Sequence, residues 1–530
     1  MTTATPDPIA ELHAARRNNW NTWVATHAEM MPDAEALRYL GESTTWKQLH
    51  DRSTRFADAL ARRGVGQGDR VMLITLNNPE FIEAVLGINR LGAIAVPVNF
   101  RLTPPELAYL VSDAAPKVVI TDSLLAPLVG AIRAHGEEPG AHIVIGGEPG
   151  TEGQTTYAEA IAEEGDPHTT VDVPEDATAL IMYTSGTTGR PKGAMLSYEN
   201  LTAQSLTCIR VFRLFDDDGR ALCAAPMFHI AALGSIAPSL QLGGVTVVHP
   251  LQAFDPAVLL DTLEKEQITS VFLVPVQWQA VCAEQQARPR DLVLRNISWG
   301  AAPSTDTILR AMAETFPDVL NCAVFGQTEM SPITCALDGD DALRKIGSVG
   351  KVIPTVQARV IDGFGEPVAP GEVGEIVYRG PTTMSGYWNK PEETAAAFEG
   401  GWFHSGDLVR MDDEGFVYVV DRKKDMIISG GENIYCAEVE NVIAGHPRVR
   451  EVAVIGRRDD KWGEVPVAIV AQHESDGPDL GLDELVDWLR DKLAGFKLPK
   501  HLVHVEELPR NASGKVVKGS LRSDHGSVGV

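Results

Sequence analysis

Ala179-Leu180-Ile181-Met182-Tyr183-Thr184-Ser185-Gly186-Thr187-Thr188-Gly189-Arg190-Pro191-Lys192-Gly193 opens as an apolar run and breaks into glycines and hydroxyls. The run Ala179–Met182 reads as a buried strand, bounded by a turn signal. Glycines permit a tight turn that exposes backbone N–H groups. The hydroxyls of Thr184, Ser185, Thr187 and Thr188 add donors, and Lys192 adds positive charge. Together these suit a cradle for phosphate oxygens. The spacing does not meet GxxxxGK[ST], so the loop is not a Walker A motif.

The flanking sequence fits an α/β fold. Arg70–Leu76 reads as a strand, Asn78-Pro79-Glu80 as a helix start leading to Leu91, and Ile94–Val98 as a second strand. That is a βαβ unit, and such continuous apolar strands imply a sheet covered on both faces. Further strands are expected at 117–121, 142–145, 179–183, 244–249 and 268–274. The glycines at 64, 66 and 68 precede a strand rather than follow one, so they read as a helix-to-strand turn. Over about 352–420, short β runs rich in Gly and Pro suggest a barrel-like antiparallel subdomain. From Asp425 onward the pattern is that of a small α+β unit. Helices are expected at 437–444 and 482–494, and strands at 451–456, 465–470 and 502–505. The expected division is a large domain over 1–423 and a small one over 424–530.

The chain has 530 residues, of which 44% are hydrophobic and 22% charged, so wholesale disorder is excluded. A net charge of −26 argues against a nucleic-acid partner and against docking on an anionic membrane face. Six scattered cysteines without a CxxC pair predict free thiols rather than a disulfide or zinc framework. The polar N-terminus lacks the features of a secretory signal, and no stretch reads as a transmembrane segment. The expected location is cytoplasmic.

The loop closely resembles the signature of the adenylate-forming superfamily: acyl-CoA synthetases, luciferases and peptide-synthetase adenylation domains. Six further stretches resemble that family's motifs in the same order. They are Pro226–His229, Gly300–Pro303, Phe325–Glu329, Gly401–Asp407, Asp421–Asp425 with Ser429–Ile434, and Pro509–Lys515. The resemblance implies a large N-terminal domain and a mobile C-terminal one. It implies activation of a carboxylic acid by ATP to an acyl-adenylate, then transfer to CoA, with Mg2+ as cofactor. It leaves room for a homodimer and for peripheral lipid contact.

The same resemblance assigns roles by position. Thr184, Ser185, Thr188 and Lys192 would hold the β- and γ-phosphates, with Gly186, Thr187 and Gly189 shaping the loop. Thr328 would bind phosphate beside Phe325, Gly326 and Gln327, and Glu329 with Thr184 would ligate Mg2+, a hard cation suited to oxygen donors. Gly300, Ala301 and Ala302 would pack on adenine, while Asp407 and Arg422 would reach the ribose. Lys515 would bridge the acyl carboxylate and the α-phosphate. His229 would stand between acyl pocket and pantetheine tunnel. Ser429, Gly430 and Gly431 would line the CoA tunnel, and Lys424 would be the hinge.

No acid follows His229 in Ile230–Ser235, so an amino-acid substrate with its ammonium is disfavoured. Ala231 and Gly234 leave room for an apolar group, with Val276, Trp299 and Gly300 as further pocket candidates. Trp299 stands where many relatives carry a small residue, and inside the pocket it would favour medium chains or aryl acids. The leading expectation is a fatty-acid:CoA ligase. An aryl-acid:CoA ligase, or an enzyme delivering the acyl group to another acceptor, is the alternative.

Overall fold

The computed structural model describes residues 16–148, 153–165, 171–184, 190–215, 218–302, 304–473, 479–510 and 516–526. The loop residues Ser185–Gly189, together with Pro303 and Asn511–Lys515, lie outside them. The described chain forms two compact units. The first holds the residues up to Gln357 with Arg379–Gly401; the second holds Ala358–Tyr378 and the residues from Trp402 on.

The first unit is built on two largely parallel sheets. One runs in the order Gly386–Tyr387, Lys192–Ser197, Thr178–Thr184, Ile94–Pro97, Arg70–Ile74, Val118–Asp122, Ala141–Ile145, Thr155–Thr156. Its interior is the expected βαβ arrangement: the 70–74 and 94–97 strands pair in parallel, joined by the helix Pro79–Arg90. Asn78 caps that helix by accepting from Phe81 N at 2.9 Å, and Pro79 fills the first turn, where a missing N–H costs nothing. Val71, Met72, Leu73 and Ile74 are all essentially inaccessible, as a sheet covered on both faces requires. The other sheet contains the parallel strands Glu35–Tyr39, Val245–Val248, Arg220–Cys223, Ser270–Leu273, Asn296–Gly300 and Leu320–Gly326. The apolar stretch 230–248 is a buried helix, Ile230–Leu242, followed by one of these strands. Among the described residues no helix is long and apolar enough to cross a membrane.

The strands Gln357–Ile361, Val373–Arg379, Phe403–Met411 and Phe416–Arg422, largely of the second unit, lie side by side in that order, the last three antiparallel. This is the region expected to be barrel-like, and it does not close into a barrel. A separate small sheet joins Ile427–Ser429, Glu432–Ile434, Val449–Asp459, Gly463–Gln472 and His501–His504. Helices Cys436–Ala444 and Leu482–Leu489 contribute to its core, which includes Val439, Ile443, Val454, Val470, Leu485 and Leu489. The second helix stops short of its expected end at 494; hydrogen-bonded turns and a 3-10 turn at Gly495–Lys497 follow instead.

All six cysteines are free and buried, as their spacing predicts. Burial pushes the thiols of Cys208, Cys223, Cys322 and Cys436 up to about 12.

Candidate active site

Thr184 ends the strand Thr178–Thr184, and Lys192 begins the antiparallel strand Lys192–Ser197 that returns beside it. The phosphate-type loop is thus the connection of a hairpin, with Thr184 and Lys192 opposite one another in the ladder. Glu329 belongs to the short turn Thr328–Met330 that follows the strand Leu320–Gly326. The structure brings it to the hairpin: Thr184 Oγ1 donates to Glu329 Oε1 at 3.1 Å. A residue not singled out in the sequence completes the group. Tyr387 O–H donates to the same Oε1 at 3.2 Å. Its ring lies 5.1 Å from Lys192 Nζ, within cation–π range. Burial and the neighbouring Glu329 charge push the Tyr387 phenol well above its ordinary value, so it stays a neutral donor.

Glu329 is buried, and its two side-chain partners are neutral hydroxyls. Among the described residues no Lys, Arg or His forms an ion pair with it. A buried carboxylate beside a threonine hydroxyl, with no ion-pair partner among the described residues, is a hard-oxygen set that fits Mg2+.

Gly300 ends the strand Asn296–Gly300 opposite Val324, where a Cβ would stand 2.3 Å from Val324 O. Only glycine permits that backbone approach. Ala301 follows at φ 64°, a left-handed conformation uncommon for a residue with a Cβ, and Ala301 and Ala302 are exposed. Phe325, Gly326, Gln327 and Thr328 are all half-buried. Trp299 is buried and fixed, its indole N–H donating to Asn321 Oδ1 at 2.9 Å.

His229 is the N-cap of the helix Ile230–Leu242, and its ring stacks at an angle on Phe228, with centroids 4.6 Å apart. Phe228 in turn meets the edge of Phe100. The segment carrying His229 is held by Asn77, another residue the sequence did not advertise. Asn77 Nδ2 donates to Ala225 O at 3.0 Å and His249 O at 3.2 Å, and Oδ1 accepts from Met227 N at 2.9 Å. Ala231 and Gly234 are half-buried on the helix, while Val276 is 67% exposed.

The second unit carries its own constellation. Asp407 and Arg422 face each other in the ladder between Phe403–Met411 and Phe416–Arg422. Nearby, the buried Glu375 accepts from Gly406 N at 3.0 Å and pairs with Lys423 Nζ at 2.9 Å and His404 Nδ1 at 3.1 Å. Burial would raise the Glu375 carboxyl, but the bonds from Lys423 and His404 outweigh it and hold the carboxyl below its ordinary value. Lys424 is exposed in a turn that the Arg422 carbonyl closes by accepting from Asp425 N and Met426 N. Gly430 and Gly431, at φ 61° and 89°, form the two-residue turn of the hairpin Ile427–Ser429/Glu432–Ile434, where both positions need left-handed backbone. Ser429 beside them is buried. The helix Lys518–His525 is tied down by two ion pairs, Lys518 Nζ to Glu440 Oε1 at 2.7 Å and Arg522 to Asp425 Oδ1 at 2.6 Å.

The AMP-binding enzyme model matches residues 24–388, and the AMP-binding enzyme C-terminal domain model matches 438–515. Feruloyl-CoA synthase of Amycolatopsis sp is 41% identical over 518 residues, covering 96% of this chain and all of the relative. The long-chain-fatty-acid–CoA ligase FadD13 of Mycobacterium tuberculosis is 36% identical over 482 residues, covering 91% of this chain and 93% of its own. Among solved structures, the o-succinylbenzoate coenzyme A synthetase of Bacillus subtilis in complex with ATP and magnesium superposes with a TM-score of 0.83. It is 30% identical, with 94% of this chain and 99% of that one covered.

Proposed function

The chain belongs to the AMP-binding enzyme family, and from that premise we propose that it joins an aryl-bearing carboxylic acid to coenzyme A. Its reaction class is that of an AMP-forming acid:CoA ligase, with ATP and CoA as co-substrates and Mg2+ as cofactor. The observation that carries the chemistry is the meeting of Thr184, Glu329 and Lys192 at the phosphate-type hairpin.

In the first half-reaction a carboxylate oxygen attacks the α-phosphorus of ATP. The α–β anhydride bond breaks, pyrophosphate leaves, and an acyl-adenylate forms. Two anions must approach, so the site has to absorb charge. Thr184 and Glu329 would hold Mg2+, which when bound offsets phosphate charge. Lys192 and the loop hydroxyls hold the outer phosphates, Asp407 and Arg422 orient the ribose, and Lys515 draws the carboxylate and α-phosphate together. In the second half-reaction the CoA sulfur attacks the acyl carbon, AMP leaves and the thiol proton is released. We place the hinge between these steps at Lys424, with Lys515 serving the first and Ser429–Gly431 the second.

The aryl reading draws on the feruloyl-CoA relative and on the succinylbenzoate-activating structure. A wide indole at position 299, immobilised by Asn321, suits a short, flat acid better than a long flexible chain. The fatty-acid reading stays second, favoured by the FadD13 relative.

The test is pyrophosphate release across ferulate, o-succinylbenzoate and a graded series of fatty acids, with and without CoA. The highest kcat/KM is expected with an aryl acid, together with CoA-dependent thioester. A fatty acid ranking first reverses the substrate assignment. Pyrophosphate release without thioester rules out CoA as the acceptor.

A further inference from the structure

We infer that Tyr387 is a positioning residue for the metal carboxylate: it fixes one oxygen of Glu329 so that the other is presented to Mg2+. The inference rests on the reading of Glu329 as a Mg2+ ligand.

The backbone that carries Tyr387 is stapled on both sides. Ser385 N donates to Met195 O at 2.9 Å, and Trp388 N donates to Gly193 O at 2.8 Å. Between them Gly386 and Tyr387 pair with Met195 and Ala194. Tyr387 N donates to Thr394 Oγ1 at 2.9 Å, and Thr394 is anchored in turn by its bond to Lys390 O. The strand it joins is the one that begins at Lys192. Tyr387 is therefore registered to the phosphate-type hairpin itself.

From that fixed point the phenol reaches Glu329 Oε1, which also accepts from Thr184. Both bonds fall on one oxygen. Among the described residues Oε2 receives none. Two donors on Oε1 lock the carboxylate's rotation and leave the lone pairs of Oε2 for a cation. The ring of the same side chain lies under Lys192 Nζ. One residue thus couples the orientation of the carboxylate to the place of the hairpin lysine. Partners of this kind behind a metal ligand fix its orientation, and removing one typically weakens metal binding by about 10–100-fold.

The test uses the full chain with α,β-methylene-ATP, which resists the cleavage step, and Mn2+ as the probe. Electron paramagnetic resonance gives the Mn2+ affinity of the nucleotide complex, and calorimetry gives nucleotide affinity without metal. Tyr387→Phe, which keeps the ring under Lys192, is expected to weaken Mn2+ by about tenfold with metal-free nucleotide binding unchanged. Tyr387→Leu is expected to weaken both. Thr394→Val, remote from the carboxylate, loosens the backbone anchor and is expected to weaken Mn2+ about threefold; it carries the test should Tyr387→Phe fold poorly. Glu329→Gln is the control. If it weakens Mn2+ while the Tyr387 and Thr394 variants bind as wild type, the positioning role is overturned. If Glu329→Gln itself leaves Mn2+ affinity intact, the metal reading fails first.

Discussion

Arg422 Nε lies 2.7 Å from Asp407 Oδ1, across adjoining antiparallel strands. Asp407 is 2% exposed, whereas the Arg422 side chain is 44% exposed. The carboxylate is thus the fixed member, further ordered by the Asp407 N bond to Ser405 Oγ, and the guanidinium reaches outward. A buried acceptor with a part-exposed cation at its rim suits a ligand with paired hydroxyls.

Asp407→Asn is expected to raise the KM for ATP about tenfold, the size of a lost charge-assisted hydrogen bond. The KM for the acid should hardly move. Pyrophosphate exchange at varied ATP measures both, and an equal rise in the two would contradict a ribose role.

Lys515→Ala should lower acyl-adenylate formation by about 10²–10³-fold, as when one donor to a developing anion is lost. Conversion of supplied acyl-adenylate to thioester should persist. Single-turnover assays of each half-reaction check this, and intact adenylation in the variant would remove Lys515 from its role.

The Lys518–Glu440 pair is largely buried, and Glu440 also accepts from Val454 N at 2.6 Å. Lys518→Met leaves that carboxylate without its cation and is expected to destabilise the second unit by about 3 kcal/mol. Lys518→Met with Glu440→Leu should recover much of the loss. Denaturant unfolding of these two variants and of Glu440→Leu alone reads the coupling, and additive losses would show the pair to be unimportant.

His142 is buried on the strand Ala141–Ile145, with Nε2 2.9 Å from Thr121 Oγ1. Burial, and then the nearby Arg133, lower its pKa to about 4. The folded chain therefore resists a proton that the unfolded chain accepts from about pH 6.5 downward. Stability present above pH 6.5 is lost as pH falls toward 4, on the order of 3 kcal/mol for this group. His142→Gln should show a shallower loss over that window in chemical denaturation, and an unchanged slope would refute the assignment.

Trp299→Gly tests the acyl pocket. Truncation of a buried indole is expected to cost about 3–5 kcal/mol in stability. It should also move the best substrate toward longer or bulkier acids in a kcat/KM series. An unaltered ranking would put Trp299 outside the pocket.

Much of this architecture can be read directly from the residues. The 70–98 βαβ unit carries a local signature, an apolar strand followed by Asn-Pro and an amphipathic turn, and the structure repeats it nearly to the residue. Thr184, Lys192 and Glu329 could be singled out because each sits inside a dense motif. Tyr387 could not, because its strand is two residues long and too short to show a period. Its meaning comes from pairing with a segment almost two hundred residues earlier. Asn77 is similar: as a sequence feature it is an ordinary turn residue, and only the segments after two parallel strands, at 225–227 and 249, supply its three partners. The barrel-like expectation failed on a related point. Alternating short strands specify antiparallel pairing but not whether the last strand returns to the first.

The burial of all six thiols has a practical side. With every native sulfur both inaccessible and, for four of them, shifted far from ionisation, alkylating dyes find no target on the folded enzyme. A cysteine placed at Lys424 or another exposed site would be the sole reactive handle. A single fluorophore could then be installed there without first stripping the natural cysteines, and its emission followed during turnover.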